Sequence, residues 1–382
     1  MPAPQGIPEV PRAHFLDRLK VVLTSLVIAH HTAITYGGSG SWFYREITDE
    51  TRLTSQLLTL FCAVNQAFFM GMFFLLAGYF TPASLQQKGI RRFVADRVQR
   101  LCFPMIAFGF ILGPLTVALG EVPKGRPVLE TWAVMTRSGH FVLGPLWFSW
   151  ALLLFAGIWL LWAGVSPRCR WLKNEADQNH QPGWLAWLLS ATGVGVTALV
   201  LRQWFPVGKE VFGLQWGYFA SYSFLFFLGC HAASGRRLEQ VSDSQARGWG
   251  LVSLLVVPVL PVSAVLFKAS KGTWGDFSGG LSTASVIYAF WEPLVAWGII
   301  AVLLAEFRKL FNVPDLRWKR WSAEAYGAFV VHAPIVVALS VAMSQWPAPP
   351  LMKFSAVAVA GTVLSFLLSR ALRCLPGIAR VL

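Results

Sequence analysis

Residues 146–164 read LWFSWALLLFAGIWLLWAG, and this uncharged stretch decides the class of fold. A helix of that length, at ~1.5 Å per residue, reaches nearly across the ~30 Å hydrocarbon core of a bilayer. The run is continuously apolar and does not alternate, so it reads as a membrane-spanning helix and not as a barrel strand. Working outward, nine further blocks have the same character, at roughly 19–36, 57–80, 101–119, 184–202, 213–233, 248–267, 284–305, 323–343 and 351–372. Prolines interrupt the blocks at 101–119 and 248–267, where tilting or kinking is expected. The chain as a whole agrees: of 382 residues 55% are hydrophobic, with 18 Trp and 29 Phe, and only 13% are charged. Soluble domains carry about 25% charged residues. An ordinary soluble globule, a disordered chain and a disulfide scaffold are excluded.

The net charge of +14 is therefore a matter of topology first. A nucleic-acid binder gathers its cations on one face; here they lie in short clusters between apolar blocks, and no nucleic-acid partner is expected. With the N-terminus in the cytoplasm, alternate loops collect Arg12, Arg18 and Lys20; Lys88, Arg91, Arg92, Arg97 and Arg100; Arg168, Arg170 and Lys173. The same side then holds Arg236, Arg237 and Arg247; Arg308, Lys309, Arg317, Lys319 and Arg320; and Arg370, Arg373 and Arg380. By the positive-inside rule both termini are expected in the cytoplasm of a bacterial-type inner membrane, around a polytopic bundle of about ten helices. The first block carries two histidines and is not followed by a small-residue cleavage site, so it reads as a span and not as a cleaved signal peptide. The five cysteines (Cys62, Cys102, Cys169, Cys230 and Cys374) are odd in number and avoid the outer loops, and no disulfide is expected. The sequence divides into no separate soluble domain, and residues 1–382 read as one unit.

An ionisable side chain deep in a span is a functional candidate. Glu292 is the carboxylate well inside a span, and His30, His31 and His332 lie at similar depth. At ~1.5 Å per residue, His31 stands about 16 Å from Lys20, Glu292 about 13 Å from the outer end of its helix, and His332 about 12 Å beyond Glu324. Adjacent histidines project about 100° apart on a helix, so one of the pair, His30, is expected to pack structurally. Glu292 must be paired or protonated, with His31 or His332 as the expected partner, and Pro293 is expected to open the helix beside it. The inner segment KGIRRFVADRVQRLCFP (88–104) sets five cations close together, Arg97 and Arg100 on one helical face. Such a cluster reads either as a topology anchor or as a seat for a polyanionic phosphate ligand.

Taken together, FLDRLKVVLTSLVIAHHTAITY (15–36), FFMGMFFLLAGYF (68–80), RVQRLCFP (97–104), PLWF (145–148) and AYGAFVVHAP (325–334) resemble, in order, the motifs of the acyltransferase 3 family of integral-membrane acyltransferases. The likeness covers about residues 15–345. Details such as HxxxxY (His31 to Tyr36), GYF and RVQR are most similar to its glucan-modifying, glucans-biosynthesis branch. Lys20 stands where the family commonly has Arg, which removes a planar fork and leaves a point charge. Ala77 stands where Ser is usual.

The resemblance implies transfer of an acyl group, of acetyl or succinyl type, from a cytoplasmic acyl-CoA to a hydroxyl of an extracytoplasmic glycan or other acceptor. Acetyl-CoA or succinyl-CoA would be a donor substrate; no resident cofactor and no metal are implied. On this reading His31 is general base or acyl carrier, with Glu292, His332 and Lys20 as further catalytic residues. Arg92, Arg97 and Arg100 bind the donor, and Asp17, His30 and Trp147 give structural support. Two other classes compete. A proton-coupled transporter would use the intramembrane His and Glu groups as a relay, but it predicts repeated halves with broken helices, which the sequence lacks. A purely structural protein leaves the deep His and Glu residues without a purpose.

Overall fold

A computed structural model describes residues 13–165 and 182–382; Arg12, Arg168, Cys169, Arg170 and Lys173 lie outside the described residues. Among those described, the chain is helical apart from turns, loops and one isolated bridge between Val211 and Leu214. The helices are α1 (His14–Thr35), α2 (Leu53–Arg97), α3 (Phe103–Ala107), α4 (Gly113–Gly120), α5 (Val128–Arg137), α6 (Trp147–Val165) and α7 (Trp184–Leu201). They continue with α8 (Phe219–Ala233), α9 (Asp243–Val256), α10 (Val259–Lys271), α11 (Thr283–Phe311), α12 (Leu316–Ala342), α13 (Pro350–Arg373) and α14 (Ile378–Val381).

Among the described residues, seven helical stretches are long and apolar enough to cross a membrane: Leu53–Gly120, Gly144–Trp162, Trp184–Leu201, Asp243–Lys271, Thr283–Phe311, Leu316–Ala342 and Pro350–Arg373. The chain is thus an all-α integral membrane protein. The count differs from the expected ten for physical reasons. The second and third expected spans run together in Leu53–Gly120. In the first, Arg18, Lys20, His30 and His31 dilute the apolar run of α1. In the sixth, α8 has only 15 residues, a length of roughly 22 Å.

Prolines shape the helices where the sequence suggested, with one exception. Two π-helical segments, Val98–Cys102 and Phe108–Leu112, shortly precede Pro104 and Pro114. A proline supplies no N–H, and its ring clashes with the carbonyl four residues earlier; at Pro104 that carbonyl belongs to Arg100, and the Tyr326 hydroxyl donates to it at 2.7 Å. The 248–267 block divides at Val257 and Pro258 into α9 and α10. Pro293 is the exception, because α11 runs through it without a break and the expected local opening does not form.

In the bundle α1 packs on α12, α2 and α13, while α11 packs on α9, α7 and α2. α2 also packs along α8, and two glycines permit the close approach. A Cβ on Gly78 would stand 2.0 Å from the Phe226 carbonyl oxygen, and one on Gly229 would stand 2.1 Å from that of Leu75. The glycine of the GYF element is thereby explained as a close backbone approach. Its two aromatic neighbours are used as well. The Tyr79 hydroxyl donates to Glu239 at 2.9 Å, and the Phe80 ring lies beneath the Lys20 ammonium at 4.4 Å. Near its end α2 is interrupted at Gly89 (φ 72°, ψ 165°), so the basic arm 90–97 is a separate short helix. The Lys88 ammonium and the Asp96 carboxylate pair across that break.

Candidate active site

The histidines on α1 and α12 meet. His31 Nδ1 lies 2.9 Å from His332 Nε2, and His332 Nδ1 lies 2.6 Å from the Phe329 carbonyl oxygen. The hydrogens follow from this geometry. A carbonyl only accepts, so His332 carries its hydrogen on Nδ1. With both rings neutral, His332 Nε2 is then the acceptor, His31 Nδ1 is the donor, and the lone pair of His31 is left on Nε2. His332 therefore fixes both the tautomer and the orientation of His31. His31 is half-buried, and the Trp42 indole is stacked on it with ring centroids 3.9 Å apart and planes 9° from parallel.

His30 projects elsewhere, as expected of adjacent helical residues. It is 7% exposed and packs against Phe69, 5.0 Å between centroids, and its backbone carbonyl faces the Cys62 thiol.

A cavity of about 1330 Å³ reaches down to His31. Its walls come from the end of α1, the loop after it, the first turns of α2, the segment leading into α6, the segment before α8, the first turns of α10 and α11, and the connection between those two. Trp42, Trp147, Tyr218, Tyr222, Trp274 and Tyr288 make it strongly aromatic. Pockets of about 300–1,000 Å³ hold drug-sized ligands, so this one is large enough for a more extended molecule. Trp147, singled out from the sequence, stacks on Tyr222 with centroids 5.7 Å apart, and Gln66 donates to the Tyr222 hydroxyl at 2.7 Å.

Glu292 does not join the histidines, and here the expectation is corrected. Its carboxylate pairs with Arg202, both residues 1% exposed. Arg202 also donates through Nε to the Gly217 carbonyl at 3.0 Å, and its guanidinium faces the rings of Tyr288 (4.9 Å) and Tyr218 (5.6 Å). A guanidinium with five donors satisfies a buried carboxylate better than an imidazole does. The sequence reading does not single out Arg202, because it stands at the very end of an apolar block, where a cation is ordinary. The remaining clue was that the deep carboxylate needed some cation.

Lys20 stands at the opposite end of α1 from His31, with its ammonium 3.1 Å from Asp17; Asp17 also accepts a hydrogen bond from Ser322 through its backbone carbonyl. Arg97 is half-buried there and donates to the Thr81 hydroxyl at 3.0 Å, next in the chain to the Phe80 ring under Lys20. Lys20 and Arg97 thus gather around one turn of α2. Arg92 and Arg100 are exposed. The π-helical turn that follows Arg97 widens the helix, so the expected shared face of Arg97 and Arg100 is replaced by one inward and one outward arginine. No group of three or more metal-binding side chains clusters among the described residues.

Comparison with known proteins places this geometry. Residues 13–370 match the acyltransferase domain family. The chain is similar to glucans biosynthesis protein C of Salmonella paratyphi B, Salmonella agona and Salmonella enteritidis, in each case 28% identical over 152 residues. That match takes in 39% of this chain and 38% of the relative, so the chain spans less than two fifths of the length of the curated relatives it matches. No solved structure matches it.

Proposed function

Because the chain belongs to the acyltransferase family whose domain covers residues 13–370, we propose that it is a membrane O-acyltransferase with His31 as general base. The observation that carries this reading is the His31–His332–Phe329 chain of hydrogen bonds at the floor of the cavity. The acceptor hydroxyl gives its proton to His31 Nε2, and its oxygen attacks the carbonyl carbon of an acyl thioester. The carbon–sulfur bond breaks, and the departing thiolate takes the proton back from the imidazolium. His332 holds the imidazole in the productive tautomer throughout.

The donor proposed is acyl-CoA, of acetyl or succinyl type, entering at the end of the bundle that holds Lys20, Arg97 and Arg100. The acceptor is a hydroxyl of a glycan, received in the aromatic cavity at the other end; the relatives' part in glucan biosynthesis supports that class. The basic segments gathered at the Lys20 end support a cytoplasmic side for the donor, with the aromatic cavity facing the other side of the membrane. Glu292, held by Arg202, takes the role of a support for the cavity wall.

The test is acyl transfer from radiolabelled acyl-CoA to glycan by purified protein in proteoliposomes. His31→Ala is expected to lower turnover by about 10²–10⁴-fold, the range for a general base, whereas His30→Ala keeps most of it. Arg97→Gln is expected to raise KM for acyl-CoA and leave KM for the acceptor alone. Full turnover in the His31 variant would remove the base from this scheme.

A further inference from the structure

The loop between α1 and α2 turns back over the end of α1. The Glu46 and Ile47 N–H groups both donate to the Thr35 carbonyl, at 2.8 and 3.2 Å, and the Gly38 N–H donates to that of Ala33 at 2.8 Å. The far side of the loop is pinned to α13. There Lys353, only 5% exposed, donates to the Glu46 carboxylate at 2.6 Å and to the Ser344 carbonyl at 3.2 Å. A lysine buried this deeply is kept where an anion meets it. Between these fixings the loop lays Trp42 flat on His31. The Trp42 Nε1–H is buried and has no acceptor among the described residues, so no hydrogen bond of its own orients the indole. The ring is placed by the loop and by its face. The Trp42, His31 and His332 rings lie within 15° of parallel.

We propose that Trp42 is a positioning residue for acyl transfer: the Glu46–Lys353 anchor holds the loop as a strap, and the strap presses the indole face onto His31. The contact fixes the plane of the imidazole against the His332 bond. It also gains strength as the ring becomes a cation, because an aromatic face attracts an imidazolium more than a neutral imidazole. Such an interaction is stronger in the transition state than in the ground state, and so it raises kcat and leaves substrate affinity unchanged. This inference rests on His31 being the base.

The experiment measures kcat and both KM values for Trp42→Leu, Trp42→Phe and Glu46→Gln beside a His31→Gln control, all in proteoliposomes. Trp42→Leu is expected to lower kcat by about tenfold or more, with both KM values within about twofold of the parent. Trp42→Phe, which keeps an aromatic face, restores most of the loss. Glu46→Gln leaves the indole in place and weakens its anchor, so it lowers kcat by a smaller factor; it carries the test if Trp42→Leu does not fold. An inactive His31→Gln beside a Trp42→Leu of parental kcat would overturn the strap alone, as would a Trp42 effect confined to the acceptor KM. An active His31→Gln would overturn the base assignment itself.

Discussion

Arg202 and Glu292 hold opposite charges at 1% exposure, and each is tolerable in that setting only while the other is present. Removing one partner of a buried pair costs roughly 3–5 kcal/mol, whereas replacing both by apolar residues of similar size is often neutral. Arg202→Met is therefore expected to lower the detergent-solubilised protein's unfolding midpoint sharply, and Arg202→Met with Glu292→Met to recover most of it. Glu292→Gln is likewise expected to lose stability by stranding the guanidinium. His332→Ala removes only the orienting bond, so turnover should fall by less than for His31→Ala in the same transfer assay. At this scale the sequence made His31, His332 and Glu292 legible, because a polar group at membrane depth stands out against its neighbours. Their partners were not legible. Arg202 and Glu292 are 90 residues apart, and Trp42 lies in a loop, where no helical period relates it to His31.

Helices pack by shape, and shape is what a hydropathy reading cannot see. The blocks around α2 and α8 were found from their apolar character, but not that Gly78 and Gly229 let the two backbones touch. An added methyl at either position meets a carbonyl oxygen that belongs to the partner helix and cannot rotate away. Overpacking of this kind typically costs 1–3 kcal/mol, occasionally more. Gly78→Ala is expected to destabilise the fold by about that amount, read as a lower midpoint in thermal unfolding. Prolines were legible in the same partial way. Pro104 and Pro114 announced irregular backbone, yet only the structure shows wide π turns, and only α12 shows that Tyr326 satisfies the Arg100 carbonyl.

For the molecule as a whole, the alternation of basic and non-basic loops is the property a single sequence carries best, since it needs no knowledge of which helix touches which. Reporters fused after Leu382 and at Gly89, where α2 breaks, are expected to register the cytoplasm, and one placed at 124–127 the opposite side. A reversed pattern would invert the donor and acceptor ends together. What the topology could not reveal is that the aromatic cavity draws its walls from segments far apart in the chain, because that convergence depends on helix tilts. It has a consequence for how such a protein can diversify. The hydrogen-bonded histidines sit on α1 and α12 inside the bundle, whereas residues 39–43, 142–147, 207–218 and 274–278 of the cavity wall lie on connections or helix ends. On the proposed reading, the connections at 142–147, 207–218 and 274–278 can be exchanged to suit a new acceptor, while the 39–46 loop, whose Trp42 lies on His31, has to stay with the reacting groups.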